Sequence, residues 1–87
     1  MYYKIIVYKK GFANVETKKG LRKVVYFQKV ATYHGIHKAT LSKEYLKTWE
    51  KWRDTCYHIS EILETEQDTI IENYNAKAKK YGVLVGV

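Results

Sequence analysis

Metal-binding and nucleophilic chemistry is confined to one stretch of this sequence, where His34, His37, Cys56 and His58 comprise every histidine and the lone cysteine. His34-Gly35-Ile36-His37 sets two imidazoles three residues apart in a loop, a spacing found within zinc sites. Cys56 and His58 are two residues apart, so on a helix they point to different sides. The workable ligand sets are therefore His34, His37 and Cys56, or His34, His37 and His58 with Asp54. Cys56 also falls on an apolar stripe, where a free cysteine acts as a small hydrophobe. The paired CxxC signature of a structural zinc site is missing. The expectation is no cofactor, with zinc on His34, His37, Cys56 and His58 as the alternative.

A second group of residues points to anionic partners. Lys9, Lys10, Lys18, Lys19, Arg22, Lys23 and Lys29 surround one predicted hairpin, with Tyr26 and other rings interleaved among them. Lysines neutralise phosphates and release counterions, and exposed rings stack on unpaired bases. The charge behind this pattern is unevenly divided. The chain has 87 residues and a formal charge of +7, but residues 1–40 carry +8 and residues 41–87 carry −1. Lysine outnumbers arginine 14 to 2. Arginine is the residue that reads guanine edges bidentately, so this balance predicts phosphate contact and shape recognition rather than base readout. Lysines on a turn also solubilise it and protect an edge strand, which is the competing explanation.

These residues need elements to hold them. Proline is absent, and glycine occurs only at 11, 20, 35, 82 and 86. Residues 2–9 are β-branched and aromatic on both faces, which predicts a half-buried or central strand. Residues 12–17 alternate weakly and lead into Lys18-Lys19-Gly20, a turn suited to a hairpin ending in a left-handed glycine. Residues 21–32 supply the return strand. Thr40 or Ser42 is placed to cap a helix. Tyr45, Trp49, Trp52, Cys56, Ile59 and Leu63 then follow at steps of four and three, which predicts one helix of more than five turns. Ile70, Ile71, Tyr74 and Ala78 resume a helical stripe after a polar break. A single helix over 41–81 would be about 60 Å long, so two helices packed on the sheet are favoured. Residues 81–87 read as a short terminal strand. The expected fold is α+β: a small antiparallel β-meander of about three strands, with a possible C-terminal fourth, packed against one long or two consecutive helices, in a single domain spanning 1–87.

Function classes narrow accordingly. A single cysteine implies no internal disulfide and a reducing compartment. The N-terminus lacks a signal-peptide pattern and no apolar run reaches the ~20 residues of a membrane span, so the expected location is the cytoplasm of the host cell, without membrane partners. Glycine-rich phosphate loops and GxSxG elbows are absent, and the predicted strands carry no acid except Glu16, so no enzyme class is expected. In size and Lys/Tyr-rich composition the chain resembles small accessory proteins of phages and mobile elements, including anti-CRISPR and other anti-defence inhibitors. That resemblance covers no residue pattern and transfers no site. The leading expectation is a non-enzymatic interaction protein, monomeric or a helix-mediated homodimer, that binds nucleic acid or a nucleoprotein machine through its basic hairpin. The alternatives are a protein-directed inhibitor of a host enzyme with Trp49 or an exposed tyrosine as anchor, and a metal-independent ribonuclease using His34 or His37.

Overall fold

The computed structural model describes residues 1–83. Within them the chain runs β1 (Tyr2–Thr17), β2 (Gly20–His37), a single 3₁₀ turn (Lys38–Thr40), α1 (Leu41–Trp52), β3 (His58–Leu63) and α2 (Thr69–Lys80). This is the expected α+β class: three antiparallel strands and two helices. The strands lie in the order β2-β1-β3. The expected terminal strand over 81–87 falls mostly outside the described residues; Tyr81 and Gly82 form a turn after α2.

The centre of the sheet is the Ile5-Ile6-Val7-Tyr8 run of β1, four consecutive side chains with 0–2% exposure. Alternate residues of a strand face opposite sides, so a run apolar at every position must be covered on both faces. On one face Ile5, Val7, Ile36 and Ile59 pack against Tyr45, Trp49, Trp52 and Cys56, with α1 as the cover. On the other, Ile6, Tyr8 and Phe27 pack against Ile71 of α2, with Ile62 alongside. Both flanks of the same run are paired: β2 along one edge, and β3 along the other from Tyr3↔Leu63 to Tyr8↔His58.

That second pairing corrects the helix expected through Leu63. Helix α1 ends at Trp52, and the amides of Thr55 and Cys56 both bond the Trp52 carbonyl as the chain turns back. Residues 58–63 are then drawn into the sheet, because the open edge of β1 would otherwise leave buried peptide groups unpaired. Ile59 still reaches the same core as Trp49 and Cys56, but from a strand. The first strand differs as well. Residues 2–17 form one continuous strand through Gly11 rather than two.

Each helix start has its own solution. Asp68 caps α2, its Oδ1 accepting the Ile71 amide at 3.3 Å. Thr40 occupies the cap position of α1, but its hydroxyl donates backwards to the His37 carbonyl and makes no cap bond. In α2 the inward residues are Ile71, Asn75 and Ala78, whereas Ile70 and Tyr74 of the expected stripe are exposed.

Candidate nucleic-acid interface

Strand β3 covers β1 only as far as Tyr8, so the β1–β2 hairpin outruns the body of the protein. Its outer part, from Gly11↔Tyr26 to Thr17↔Gly20, is a two-stranded arm about 20 Å long at the usual rise per residue. The molecule measures 51 × 27 × 15 Å and has a radius of gyration of 15.1 Å, against about 12 Å for a compact chain of this length. The tip is built as the Lys18-Lys19-Gly20 spacing predicts. Both lysines keep negative φ, and the left-handed position falls to Gly20 at φ 103°. The Thr17 hydroxyl donates to the Gly20 carbonyl at 2.8 Å and accepts from the Lys19 amide at 3.3 Å, which closes the turn.

All seven expected cations are exposed. The register places Lys9 and Arg22 with Tyr26 on the α1 side of the sheet, Lys10, Lys23 and Lys29 on the α2 side, and Lys18 and Lys19 at the tip. The positive charge therefore wraps the arm instead of forming one flat patch. The side-chain ion pairs among the described residues are His34–Glu64 and Lys47–Glu44, so no hairpin cation is directly paired with Glu61, Asp68 or Glu72, although Lys29 shares a cleft with the last two. Glu16 is the one acid on the arm.

Tyr26 is less open to solvent than the cations around it. Its ring lies over Gly11 across the ladder, and a Cβ at Gly11 would sit 2.6 Å from Tyr26 Cζ. The tyrosine thus covers bare backbone and is half-buried there. Tyr2 and Tyr81 are exposed to 50 and 38%, and three rings are more than half exposed: Phe12, Tyr57 and Tyr74, at 51, 55 and 63%. These three lie on the α2 side, together with Phe27, Lys10 and Lys23. Tyr74 meets Phe27 edge-on at 5.6 Å between centroids, and Phe27 meets Tyr57 at 4.9 Å. Lys10 Nζ stands 5.1 Å from the Tyr57 ring and 5.5 Å from Phe12, and Lys23 Nζ stands 4.2 Å from Phe12 on its other strand. The result is a continuous strip of rings and ammonium groups running from α2 onto the arm. Sequence reading missed Phe12 and Tyr57 because they belong to separate elements. The signal for Phe12 was present: counting back from the Gly20 turn puts it beside Lys10 and near Lys23 on one face.

The histidines and cysteine do not assemble. Among the described residues no three His, Cys, Asp or Glu side chains are close enough to hold a metal ion. His34 hydrogen-bonds Glu64 through Nδ1 at 2.9 Å, and His37 lies against the Tyr2 ring at 4.8 Å. Cys56 packs on the α1 side of the core, where burial pushes its thiol above the ordinary value of 9.0. His58 points to the opposite side, since it pairs with Tyr8 and its Nε2 lies 3.0 Å from the Ser60 hydroxyl. Cys56 lies in the turn before β3, outside the strand, and it is this irregular backbone that turns Cys56 and His58 to opposite sides.

His58 begins a buried polar chain that the sequence did not reveal. The Ser60 hydroxyl donates to Asp68 Oδ2, and the other Asp68 oxygen caps α2. Tyr8 lies beside this carboxylate, and its hydroxyl is pushed above the ordinary 10.0, first by burial and then by the charge and hydrogen bond of Asp68. A serine that donates to a carboxylate is not aligned with its histidine as nucleophile to base. The network secures the start of α2 against the sheet. A neighbouring cleft of about 260 Å³ sets Lys4, Lys29 and Lys79 against Asp68 and Glu72, a mixed lining with no clear sign.

Among the described residues no helix is long and apolar enough to cross a membrane. Compared with known proteins, the chain matches no family model, no curated protein and no solved structure.

Proposed function

We propose that this protein is a non-enzymatic interaction module that binds nucleic acid, free or within a nucleoprotein machine, through its cationic hairpin arm. The observation that carries this reading is the arm itself, a projecting two-stranded ribbon whose exposed lysines and arginine form no ion pair among the described residues. Charge concentrated on a protrusion raises the local positive potential and steers polyanions to it. Because cations lie on both faces and at the tip, the arm suits insertion between phosphate-bearing surfaces, such as a groove or a channel in a nucleoprotein. Binding of this kind follows backbone shape and is largely independent of sequence. The resemblance in size and composition to anti-defence inhibitors of phages and mobile elements supports a nucleoprotein defence machine as the target. An inhibitor anchored by Trp49 has less support, because Trp49 and Trp52 pack on the core and Trp52 Nε1 is engaged with the Tyr33 hydroxyl at 3.1 Å.

Fluorescence anisotropy with labelled mixed-sequence nucleic acid at low salt tests the proposal. Saturable binding is expected, and Lys18→Glu with Lys19→Glu at the tip should reduce it at least tenfold. No binding to any nucleic acid, or an unchanged affinity in the double variant, would remove the reading.

A further inference from the structure

We infer that the ligand of this surface is a single-stranded nucleic acid, whose bases stack on Phe12, Tyr57 and Tyr74 while Lys10 and Lys23 hold the intervening phosphates. The inference rests on the proposed function and adds the class of strand. Its basis is the chemistry of the strip. Cations alone would serve a duplex equally well, because a duplex presents only phosphates and groove edges to a protein surface. Of the two forms of nucleic acid, exposed aromatic faces serve the one whose bases are already unpaired. Here three rings are each more than half exposed although the chain has a two-sided core able to bury them. All three lie on the same side of the sheet, and the two arm lysines nearest them stand 4.2–5.5 Å from ring centroids.

The spacing fits this occupant. From Tyr74 through Phe27 and Tyr57 to Lys10 and Phe12, consecutive members lie 4.9–5.6 Å apart. That is within the distance an extended nucleic-acid backbone covers from one base to the next, so a strand laid along the strip meets the Tyr74 and Tyr57 rings first and then Lys10, Phe12 and Lys23 on the arm. The backbone at the centre of the strip is also held firmly. Phe27, the buried member at the centre, has both its peptide groups hydrogen-bonded by Asn75, and the Tyr57 amide bonds the Tyr8 carbonyl at 2.8 Å. A pre-set backbone avoids part of the ordering cost of binding. Base stacking on aromatic faces tolerates any base, which agrees with the scarcity of arginine.

The test uses the full chain and three probes: an oligothymidylate of about 15 nucleotides, an oligouridylate of equal length, and a mixed-sequence duplex of similar size. Both single strands should bind about tenfold more tightly than the duplex. The Phe12, Tyr57 and Tyr74 ring protons should shift on adding either strand but not on adding duplex. Phe12→Leu and Tyr74→Leu remove ring faces at exposed positions and keep an apolar side chain there. Each should weaken single-strand binding about tenfold and leave duplex binding unchanged. Equal affinity for strand and duplex, with both variants neutral, would overturn the inference while leaving the proposed function standing. Absence of binding to all three probes would overturn both.

Discussion

Asn75 of α2 and Phe27 of β2 are joined by a closed pair of hydrogen bonds. The Phe27 amide donates to Asn75 Oδ1 at 2.8 Å, and Asn75 Nδ2 donates to the Phe27 carbonyl at 2.9 Å. A side-chain amide here replaces the strand that β2 lacks on its outer edge. It fixes the helix in register and covers that edge at Phe27. Asn75 is 4% exposed, so removing it strands two peptide groups away from water. Asn75→Ala should therefore lower unfolding stability by about 3 kcal/mol, measured by urea denaturation. Asn75→Asp should not rescue it, because a carboxylate faces the Phe27 carbonyl without a proton to donate.

Gly11 and Tyr26 make a second coupled pair. A methyl group at Gly11 meets the end of the Tyr26 ring at 2.6–2.9 Å, and the ring must lift from the sheet. Gly11→Ala should cost about 1 kcal/mol. In a Tyr26→Ala background the same change should be neutral or stabilising, since the clash is gone and alanine suits a strand better than glycine. A double-mutant cycle reads this coupling directly. Additive effects would mean that the ring does not lie over Gly11.

Tyr8 sets an alkaline limit on stability. Its hydroxyl ionises at higher pH in the folded protein than in the unfolded chain, where the ordinary value near 10 applies. The folded state therefore retains a proton that the unfolded state loses. That contribution is complete below about pH 10 and declines as pH rises beyond it. Denaturation midpoints of the wild type should fall above pH 10, and Tyr8→Phe should show a slope shallower by one proton. Identical slopes would contradict the buried placement of the hydroxyl beside Asp68.

How far the amino acids disclosed all this depended on whether a pattern was local. The hairpin turn was legible, because Lys18-Lys19-Gly20 requires one left-handed residue and only glycine takes it cheaply. The central position of β1 followed from Ile5-Ile6-Val7-Tyr8, a run with no polar face. The break in the first helix was hidden, because Tyr45, Trp49, Trp52, Cys56 and Ile59 do share one core and keep helical spacing up to it. Ile59 reaches that core by pairing with Val7, a partner 52 positions away that no window around residue 59 contains. The candidate site divided in the same way. The exposure of the arm cations was legible from their place around a turn, whereas the half-buried setting of Tyr26 was not, because whether a ring lies on backbone or faces solvent depends on the residue opposite, here Gly11.

Salt dependence of binding tests the central claim most directly. Each arm cation that contacts phosphate releases counterions, so the logarithm of affinity falls linearly with the logarithm of salt concentration. The wild type and a Lys18→Ala, Lys19→Ala, Arg22→Ala, Lys23→Ala variant should be titrated with the same labelled nucleic acid across a salt series. The account predicts a steep slope for the wild type and a slope shallower by about three for the variant. Wild-type affinity indifferent to salt, or the same slope in both proteins, would contradict it.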